Sequence, residues 1–303
     1  MIEFQAPTPA DKAWVDELLA LGNLRGCDYN FTNLFVWQKA YRFELARMGN
    51  FLLIRLRGRT GNSYMYPAGS GDIAAAIRAL EADAAERGEP LRLVCLTPPQ
   101  MAELEEFFPG RFTCTADRDG YDYLYDIDRL ADLGGKKLHA KRNHIHRFDE
   151  QFPDWSFEPI TPDNVPECLE LERAWSARRR LDEPEAGEES LSEETVAVIE
   201  ALYQMQPLAL EGGLIRAGGK PLAFSLGSLT TPECFDVHFE KADGAIQGAY
   251  AVINREMARM VRDRHPQVRW LNREDDLGLE GLRKAKLSYY PDLLLEKHTA
   301  REV

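Results

Sequence analysis

The chain has 303 residues, 44% of them hydrophobic, and its 50 acidic and 37 basic side chains give a net charge of -13. This length suits two domains of roughly 150 residues each. The negative charge excludes non-specific attraction to DNA or to an anionic membrane surface, so any polyanion would have to bind a local basic patch.

The cysteines and the N-terminus indicate the compartment. Five cysteines, an odd number without metal-binding spacing, indicate reduced thiols and no metal site. No signal-peptide pattern is present, and no apolar run approaches the roughly 20 residues of a membrane span. We therefore expect a cytoplasmic protein without a membrane span.

Hydrophobic periodicity and turn residues define the elements of the first half. Their predicted order is strand, two helices, three meander strands, helix, strand, helix and strand, at 2–6, 9–21, 30–41, 42–48, 51–57, 63–67, 70–86, 91–96, 98–108 and 121–128.

The second half repeats this order. The predicted elements are a strand, two helices, three meander strands, helix, strand, helix and strand, at 155–160, 163–175, 190–202, 208–217, 221–229, 233–241, 248–264, 268–272, 279–287 and 293–295. Between the two helices, the polar segment 178–189 is predicted to be an exposed loop.

Two copies of one element order indicate duplication of an α/β unit. A meander followed by helix, strand, helix and strand is the order of the GNAT acyltransferase fold, which is an analogy at the level of the fold. The sequence thus predicts an α/β protein of tandem GNAT-like domains, each a mixed sheet flanked by helices. The expected domains are 1–133 and 153–303, joined by a basic linker helix at 134–152.

The linker is the most basic stretch of the chain. In a helix after Gly134 and Gly135, the side chains of Leu138, Ile145 and Phe148 share one apolar stripe. The remaining positions are basic, at Lys137, Lys141, Arg142, His144 and Arg147. Such a helix is either a solvated connector or an anion-binding element.

The helix after the second meander begins at Gln247, Gly248, Ala249 and Tyr250. Helix N-termini bind phosphate through free amides and the helix dipole, and Gly248 permits a close approach. The fuller glycine-rich loop typical of acetyl-CoA enzymes is missing. A plain helix cap is the alternative.

Three side chains are candidate acid–base groups. His238 and Glu240 share a strand face, where they can act as base and orienting partner for an attacking amine. A structural role for this histidine is the alternative. Tyr289 is placed to donate a proton to a leaving hydroxyl.

A polar run from Asn272 to Gly278 leaves the end of a buried strand, where open α/β sheets tend to bind ligands. Carboxylates there can hold a substrate ammonium, and a solvated turn is the alternative. Arg283 and Lys286 lie on the helix that follows. The chain has no GxxxxGK loop, HExxH zinc motif or GxSxG elbow.

Two segments carry a family resemblance. Lys136–Leu138 with Lys141–Asn143 up to Phe148, and the block Asn272–Pro291, resemble the DUF2156 family, which is related to the C-terminal catalytic region of phosphatidylglycerol lysyltransferases. The likeness spans essentially the whole chain. It implies a tandem GNAT fold akin to aminoacyl-tRNA-dependent transferases that move an amino acid to a lipid or a peptidoglycan precursor.

The resemblance also implies roles for single residues. Anion contacts near the donor path would come from Lys137, Arg142 and Asn143. The acceptor pocket would contain Glu274, Asp275, Arg283 and Lys286. Asn272, at the start of the polar run, is a further predicted substrate-binding residue.

The leading hypothesis is an acyl or aminoacyl transferase acting on an amine or hydroxyl acceptor. Its donor would be an aminoacyl-tRNA, held at the acceptor stem, or an acyl-CoA. The residues at 137–147 and 247–250 would hold the donor phosphate. Two alternatives stay open: a catalytically idle tandem GNAT protein that binds a small ligand or a protein partner, and an acetyl-CoA-dependent N-acetyltransferase.

Overall fold

The structure is a computed structural model and describes residues 2–58, 61–182 and 188–303. Elements up to residue 132 are α1 (Lys12–Gly22), α2 (Phe31–Val36), α3 (Gln38–Tyr41), β1 (Glu44–Met48), β2 (Phe51–Gly58), β3 (Gly61–Met65), β4 (Ala68–Gly69), α4 (Ile73–Glu86), β5 (Arg92–Leu96), α5 (Pro98–Phe107), β6 (Phe112–Ala116), β7 (Asp122–Asp126) and α6 (Ile127–Asp132).

The remaining elements are α7 (His139–Gln151), β8 (Ser156–Pro159), α8 (Val165–Asp182), α9 (Glu188–Tyr203), β9 (Glu211–Ala217), β10 (Lys220–Thr231), β11 (Cys234–Ala242), α10 (Ala249–Arg264), β12 (Trp270–Asn272), α11 (Glu280–Leu287), β13 (Leu293–Leu295) and β14 (His298–Glu302).

The chain forms two compact units. The first contains Met1–Tyr123, Glu274–Lys284 and Leu293–Val303, and the second contains Leu124–Arg273 and Ala285–Asp292. The units interleave along the sequence because β14, at the C-terminus, pairs with β5 and β6 of the first unit. The basic helix α7 lies within the second unit. The domain limits 1–133, 134–152 and 153–303 stay a prediction about the two repeated folds.

The first unit contains a mixed sheet in the order β1-β2-β3-β5-β14-β6, with β4 beside β2. The strands β1, β2 and β3 form the predicted antiparallel meander. After α4 the chain returns as β5, parallel to β3. Apolar side chains on one face of α4, including Ile77 and Leu80, are fully buried in the core of this unit.

The second unit repeats this arrangement in the order β7-β12-β11-β10-β9-β8. The strands β9, β10 and β11 form an antiparallel meander, and after α10 the chain returns as β12, parallel to β11. Residue 240 lies near the carboxyl end of β11, and residue 273 follows the carboxyl end of β12.

The predicted fold class is confirmed. Both units contain a meander, a helix and a returning parallel strand, which is the GNAT-like order, and each sheet is mixed and flanked by helices. The predicted packing stripe of α7 is also present, since Leu138, Ile145 and Phe148 are buried.

The prediction of a loop at 178–189 is wrong at both ends. Helix α8 continues to Asp182 and α9 begins at Glu188, while residues 183–187 lie outside the described residues. The polar end of α8 makes ion pairs: Arg178 contacts Asp243 at 3.3 Å, and Arg179 contacts Glu194 at 3.4 Å. These partners are distant in sequence, so local composition misses them.

No helix among the described residues has the length and apolar character needed to cross a membrane.

Asp276 organises the segment 274–284 within the first unit. Its carboxylate is fully buried and accepts hydrogen bonds from Tyr123 Oη at 2.5 Å and from Arg283 Nε at 2.9 Å, with Arg118 Nη1 at 3.3 Å. Burial alone would raise the pKa of Asp276, but these donors hold the pKa well below its ordinary value. Arg283 also contacts the exposed Asp119 at 2.6 Å.

We expect Asp276→Ala to lower the free energy of unfolding by about 3 kcal/mol, because two arginines lose their buried partner. The matched change Asp119→Ala, at the exposed end of the same network, should cost less than about 1 kcal/mol. Urea denaturation at pH 7 measures both. Because the folded pKa of Asp276 is lowered, its contribution is present above the ordinary pKa of about 4 and is lost as the pH falls below it. Equal costs for the two variants would contradict this assignment.

Candidate active site

An ion pair at the ends of two neighbouring strands forms the centre of the candidate site. Glu240 lies on β11, and Arg273 follows β12 directly. Arg273 Nη2 donates to Glu240 Oε1 at 2.9 Å, and both side chains are mostly buried. Arg273 Nη1 is also buried and has no hydrogen-bond partner among the described residues. The guanidinium thus keeps an unused donor.

Two tyrosine rings surround this arginine. Arg273 Cζ lies 4.9 Å from the ring centroid of Tyr289 and 5.7 Å from that of Tyr125, and the two rings meet edge to face. Burial raises the pKa of the Tyr289 phenol, so the group stays protonated at neutral pH. A protonated phenol can donate a hydrogen bond or a proton.

Lys141 of α7 contacts the same ring. Its Nζ lies 3.9 Å from the Tyr289 centroid, a cation–π contact. Within the described part of the chain its ammonium has no hydrogen bond and no ion pair. Burial, followed by the charge of Arg273, lowers the pKa of Lys141 to about 8, against the opposing effect of Glu240.

Three further groups hold this cluster in place. Asn254 of α10 donates to Glu240 Oε2 at 3.1 Å. Lys286 Nζ donates to the backbone carbonyl of Arg273, and Tyr125 Oη donates to the carbonyl of Lys286 at 2.8 Å. The predicted substrate-binding residue Lys286 therefore positions the backbone of Arg273.

His238 lies two residues before Glu240 on β11 and is buried. Its Nε2 is 2.9 Å from Ser228 Oγ, and its Nδ1 is 3.6 Å from Asp236 Oδ2. The carboxylate beside this imidazole is therefore Asp236, whereas Glu240 turns to Arg273 and Asn254. Asn272 of β12 is buried and pairs in register with Asp236.

The predicted anion contacts on and before α7 have internal partners. Arg142 Nη1 donates to the carbonyls of Leu133 and Gly135, the latter at 2.8 Å, and so satisfies carbonyls that follow α6. Asn143 Nδ2 lies 3.3 Å from His139 Nδ1, one turn away. Lys137 Nζ lies 5.3 Å from the Tyr290 ring centroid. Anion binding by these three residues stays a prediction.

One side of the start of α10 packs against α7. Gly248 caps the helix with a φ of +92°, and a Cβ at this position would lie 2.3 Å from the carbonyl oxygen of His144. The glycine therefore admits the backbone of α7. Among its neighbours, Gln247 is exposed, Ala249 is buried and Tyr250 Oη accepts from Trp175 Nε1 at 2.8 Å. The predicted phosphate site at 247–250 would have to form beside this packed helix.

Other predicted substrate residues lie in the first unit. Glu274 has a φ of +54°, and its Oε1 accepts from Asn33 Nδ2 at 2.8 Å. Asp275 is partly buried. The guanidinium of Arg283 forms ion pairs with Asp276 and Asp119. Glu274 and Arg283 thus belong to local networks of the first unit, and their substrate contacts stay predictions.

A buried lysine in the first unit was missed by sequence reasoning. Lys297 Nζ lies 2.5 Å from Asp28 and 2.7 Å from Asp122, and it contacts the Cys27 thiol at 3.3 Å. Cys27, Asp28 and Asp122 lie close enough together to hold a metal ion. The ammonium of Lys297 already pairs with both carboxylates, so the group is better described as an internal ion cluster.

The cluster formed by Lys141, Glu240, Arg273 and Tyr289 therefore has the chemistry of an active site. It combines a carboxylate, a protonated phenol, a lysine whose pKa is lowered by burial and an unused guanidinium donor in a partly buried setting. The sequence pointed to Glu240 and Tyr289. It gave Lys141 only as one cation of the basic stripe, and it assigned no role to Arg273, although that residue follows the predicted strand directly.

Comparison with known proteins places the chain in a family. The sequence profile of the family described as phosphatidylglycerol lysyltransferase, C-terminal, matches residues 19–301. The chain belongs to this family. The predicted resemblance is confirmed.

Two solved structures share the fold. A conserved protein of unknown function from Bacteroides thetaiotaomicron is 40% identical over 100% of both chains, with a TM-score of 0.94. The C-terminal DUF2156 domain of a proposed lysylphosphatidylglycerol synthetase from Agrobacterium fabrum is 13% identical, covering 97% of this chain and 92% of that one, with a TM-score of 0.66.

A curated relative is more distant. An uncharacterized protein from Mycoplasmoides gallisepticum is 22% identical over 188 residues, and the match covers 60% of this chain and 56% of that protein. The chain thus spans little more than half the length of this relative.

We expect Gly248→Ala to lower the free energy of unfolding by at least about 3 kcal/mol. The added Cβ would clash with the His144 carbonyl, and alanine would have to adopt the left-handed backbone conformation of Gly248. Gly218→Ala is the matched control: Gly218 also has a positive φ, of +54°, but a Cβ there meets nothing within 4 Å. It should cost about 1 kcal/mol. Urea denaturation compares the two, and similar costs would contradict close packing of α7 on α10.

Proposed function

We propose that this protein transfers an aminoacyl group from an activated ester to an amine or hydroxyl acceptor, at the site formed by Glu240, Arg273, Tyr289 and Lys141. Family membership and the tandem GNAT-like fold support an acyl or aminoacyl transferase. The site observation that carries the proposal is the Glu240–Arg273 pair against the Tyr289 ring, in the second unit.

The packing of α7 against Gly248 favours an aminoacyl ester over acyl-CoA as donor. An acyl-CoA would need the helix amides for its pyrophosphate, and the His144 carbonyl already lies against Gly248. An aminoacyl ester instead carries an ammonium group and an ester carbonyl. The negative carboxylate of Glu240 suits the ammonium group, and the hydrogen-bond donors of Arg273 and Tyr289 suit the carbonyl oxygen.

Each group has a role in this proposal. Glu240 holds the donor ammonium: a carboxylate has about four acceptor positions, and Asn254 and Arg273 use two of them. Arg273 Nη1 and the Tyr289 hydroxyl donate to the carbonyl oxygen, where negative charge develops in the transition state. The ester is already activated, so positioning and one proton transfer complete the catalysis.

The partner that fits this chemistry is the acceptor stem of an aminoacyl-tRNA, in the cytoplasm, where such donors are made. The charge of -13 limits contact to a local surface. The family name suggests a lysyl group, and a phosphatidylglycerol headgroup is one hydroxyl acceptor to test.

The proposal is tested by incubating purified protein with a mixture of radiolabelled aminoacyl-tRNAs and, in parallel, with acetyl-CoA. Candidate acceptors are phosphatidylglycerol vesicles and small amines. We expect acceptor-dependent release of label from tRNA and no turnover of acetyl-CoA. Turnover of acetyl-CoA alone would contradict the choice of donor, and no turnover of either would contradict the proposed activity.

We expect Glu240→Gln to lower kcat/KM for aminoacyl transfer by about 100-fold, since loss of a charged hydrogen-bond partner costs roughly 3 kcal/mol. Glu200→Gln on α9 is the matched control and should retain wild-type activity, because it removes a carboxylate outside the cluster. Steady-state kinetics with one aminoacyl-tRNA measures both variants. Full activity of the Glu240→Gln variant would show that Glu240 does not hold the donor ammonium.

A further inference from the structure

Lys141 is the one cation of the cluster whose ammonium has neither a carboxylate nor a carbonyl partner among the described residues. Helix α7 places it half-buried, with Nζ 3.9 Å from the Tyr289 ring centroid. Apart from this contact with the ring, its N–H groups have no partner among the described residues, so the nitrogen is available to a substrate. A structural lysine in such a setting would be expected to have a salt-bridge partner.

The charged neighbours of Lys141 come from two other elements. Arg273, after β12, lies against the same ring, and Glu240 projects from β11. Burial and Arg273 favour the neutral amine and lower the pKa of Lys141 to about 8, against the opposing effect of Glu240. The face of the Tyr289 ring likewise favours the ammonium. Near neutral pH the ammonium is still the major form, and the neutral amine with its free lone pair is the minor form, which becomes dominant above about pH 8.

The other polar groups of the cluster already have partners on the protein. Both oxygens of Glu240 accept hydrogen bonds from Asn254 and Arg273. The raised pKa of Tyr289 keeps its phenol protonated, and His238 is buried against Ser228 and Asp236. Lys141 is the remaining group with an uncommitted nitrogen.

We propose that Lys141 is a catalytic residue that relays the proton of the transfer reaction. This inference rests on the proposed function and deepens it, because it assigns the acid–base step to a residue of the basic helix. The geometry points to Lys141 because its free nitrogen lies on the ring of Tyr289, beside the arginine and the carboxylate that would hold the donor ester.

Lys141 takes up one proton and returns it within each catalytic cycle. The acceptor nitrogen or oxygen attacks the ester carbonyl carbon, and its N–H or O–H proton moves to neutral Lys141 Nζ. A tetrahedral intermediate forms and then collapses as the bond from the carbonyl carbon to the leaving ester oxygen breaks. The Lys141 ammonium gives its proton to that oxygen, which departs as a hydroxyl. The lysine ends neutral, so no further reactant is needed.

The test compares Lys141→Arg and Lys141→Met. Arginine keeps the positive charge and the cation–π contact but cannot accept a proton at neutral pH. We expect both variants to lose at least about 100-fold in kcat, while their affinity for a non-hydrolysable aminoacyl ester analogue stays within about threefold. Lys220→Met, at the exposed start of β10, is the matched control and should retain wild-type rates.

The pH profile gives a readout that a structural role would not move. Wild-type kcat should rise with pH to a plateau above about pH 8, because the neutral amine is the active form, and this limb should be absent in both variants. If Lys141→Arg keeps wild-type kcat, the lysine acts only as a charge and the inference is overturned. If both variants lose donor affinity in step with kcat, the residue binds substrate and the relay is likewise overturned.

Failure of the proposed function is distinguishable from failure of this inference. If the wild-type protein transfers nothing, the transferase proposal fails first. Lys141 can then be judged by its own titration, measured by NMR on 13C-methylated lysines and assigned with Lys141→Arg. A midpoint near pH 8 supports an amine prepared for proton transfer. A midpoint near the ordinary lysine value of about 10.4 overturns the inference, whether or not the wild-type protein shows transferase activity.

Discussion

Arg273 is the side chain on which the candidate site of the second unit depends. It follows the strand that lies parallel to β11, so its guanidinium reaches Glu240 on one side and the rings of Tyr125 and Tyr289 on the other. Lys286 holds its backbone carbonyl. A buried arginine has to be paired, and this pairing brings a carboxylate, a phenol and a second cation together. The proposed chemistry follows from that grouping.

The packing of α7 on the start of α10 is the second constraint. Gly248 permits it, since only a residue without Cβ fits against the His144 carbonyl. The helix that makes this contact also carries Lys141, which lies over the Tyr289 ring, and it sets a protein carbonyl beside Gly248 at the start of α10. One local interaction thus both supplies a cation to the site and disfavours a pyrophosphate. This connects a backbone detail of α10 to the proposed choice of an aminoacyl ester as donor.

Periodicity and turn residues were sufficient to predict the two meanders and the helices α4 and α10, because these elements are set by local patterns. They could not show that β14 returns to the first sheet, or that Arg178 and Arg179 extend α8 through ion pairs to distant residues. The site was only partly predictable for the same reason. Glu240 and Tyr289 were selected by residue type, but the partners of Arg142, His238 and Arg273 depend on tertiary structure.

The most direct test of this account is a crystal structure with a non-hydrolysable analogue of a 3′-aminoacyl adenosine. The account predicts that the ammonium of the analogue contacts Glu240 and that its carbonyl mimic lies within hydrogen-bond distance of Arg273 Nη1 or Tyr289 Oη, with Lys141 Nζ beside the ester position. An analogue bound instead at the Lys297 cluster of the first unit, or at the start of α10 with Lys141 and Glu240 untouched, would contradict it.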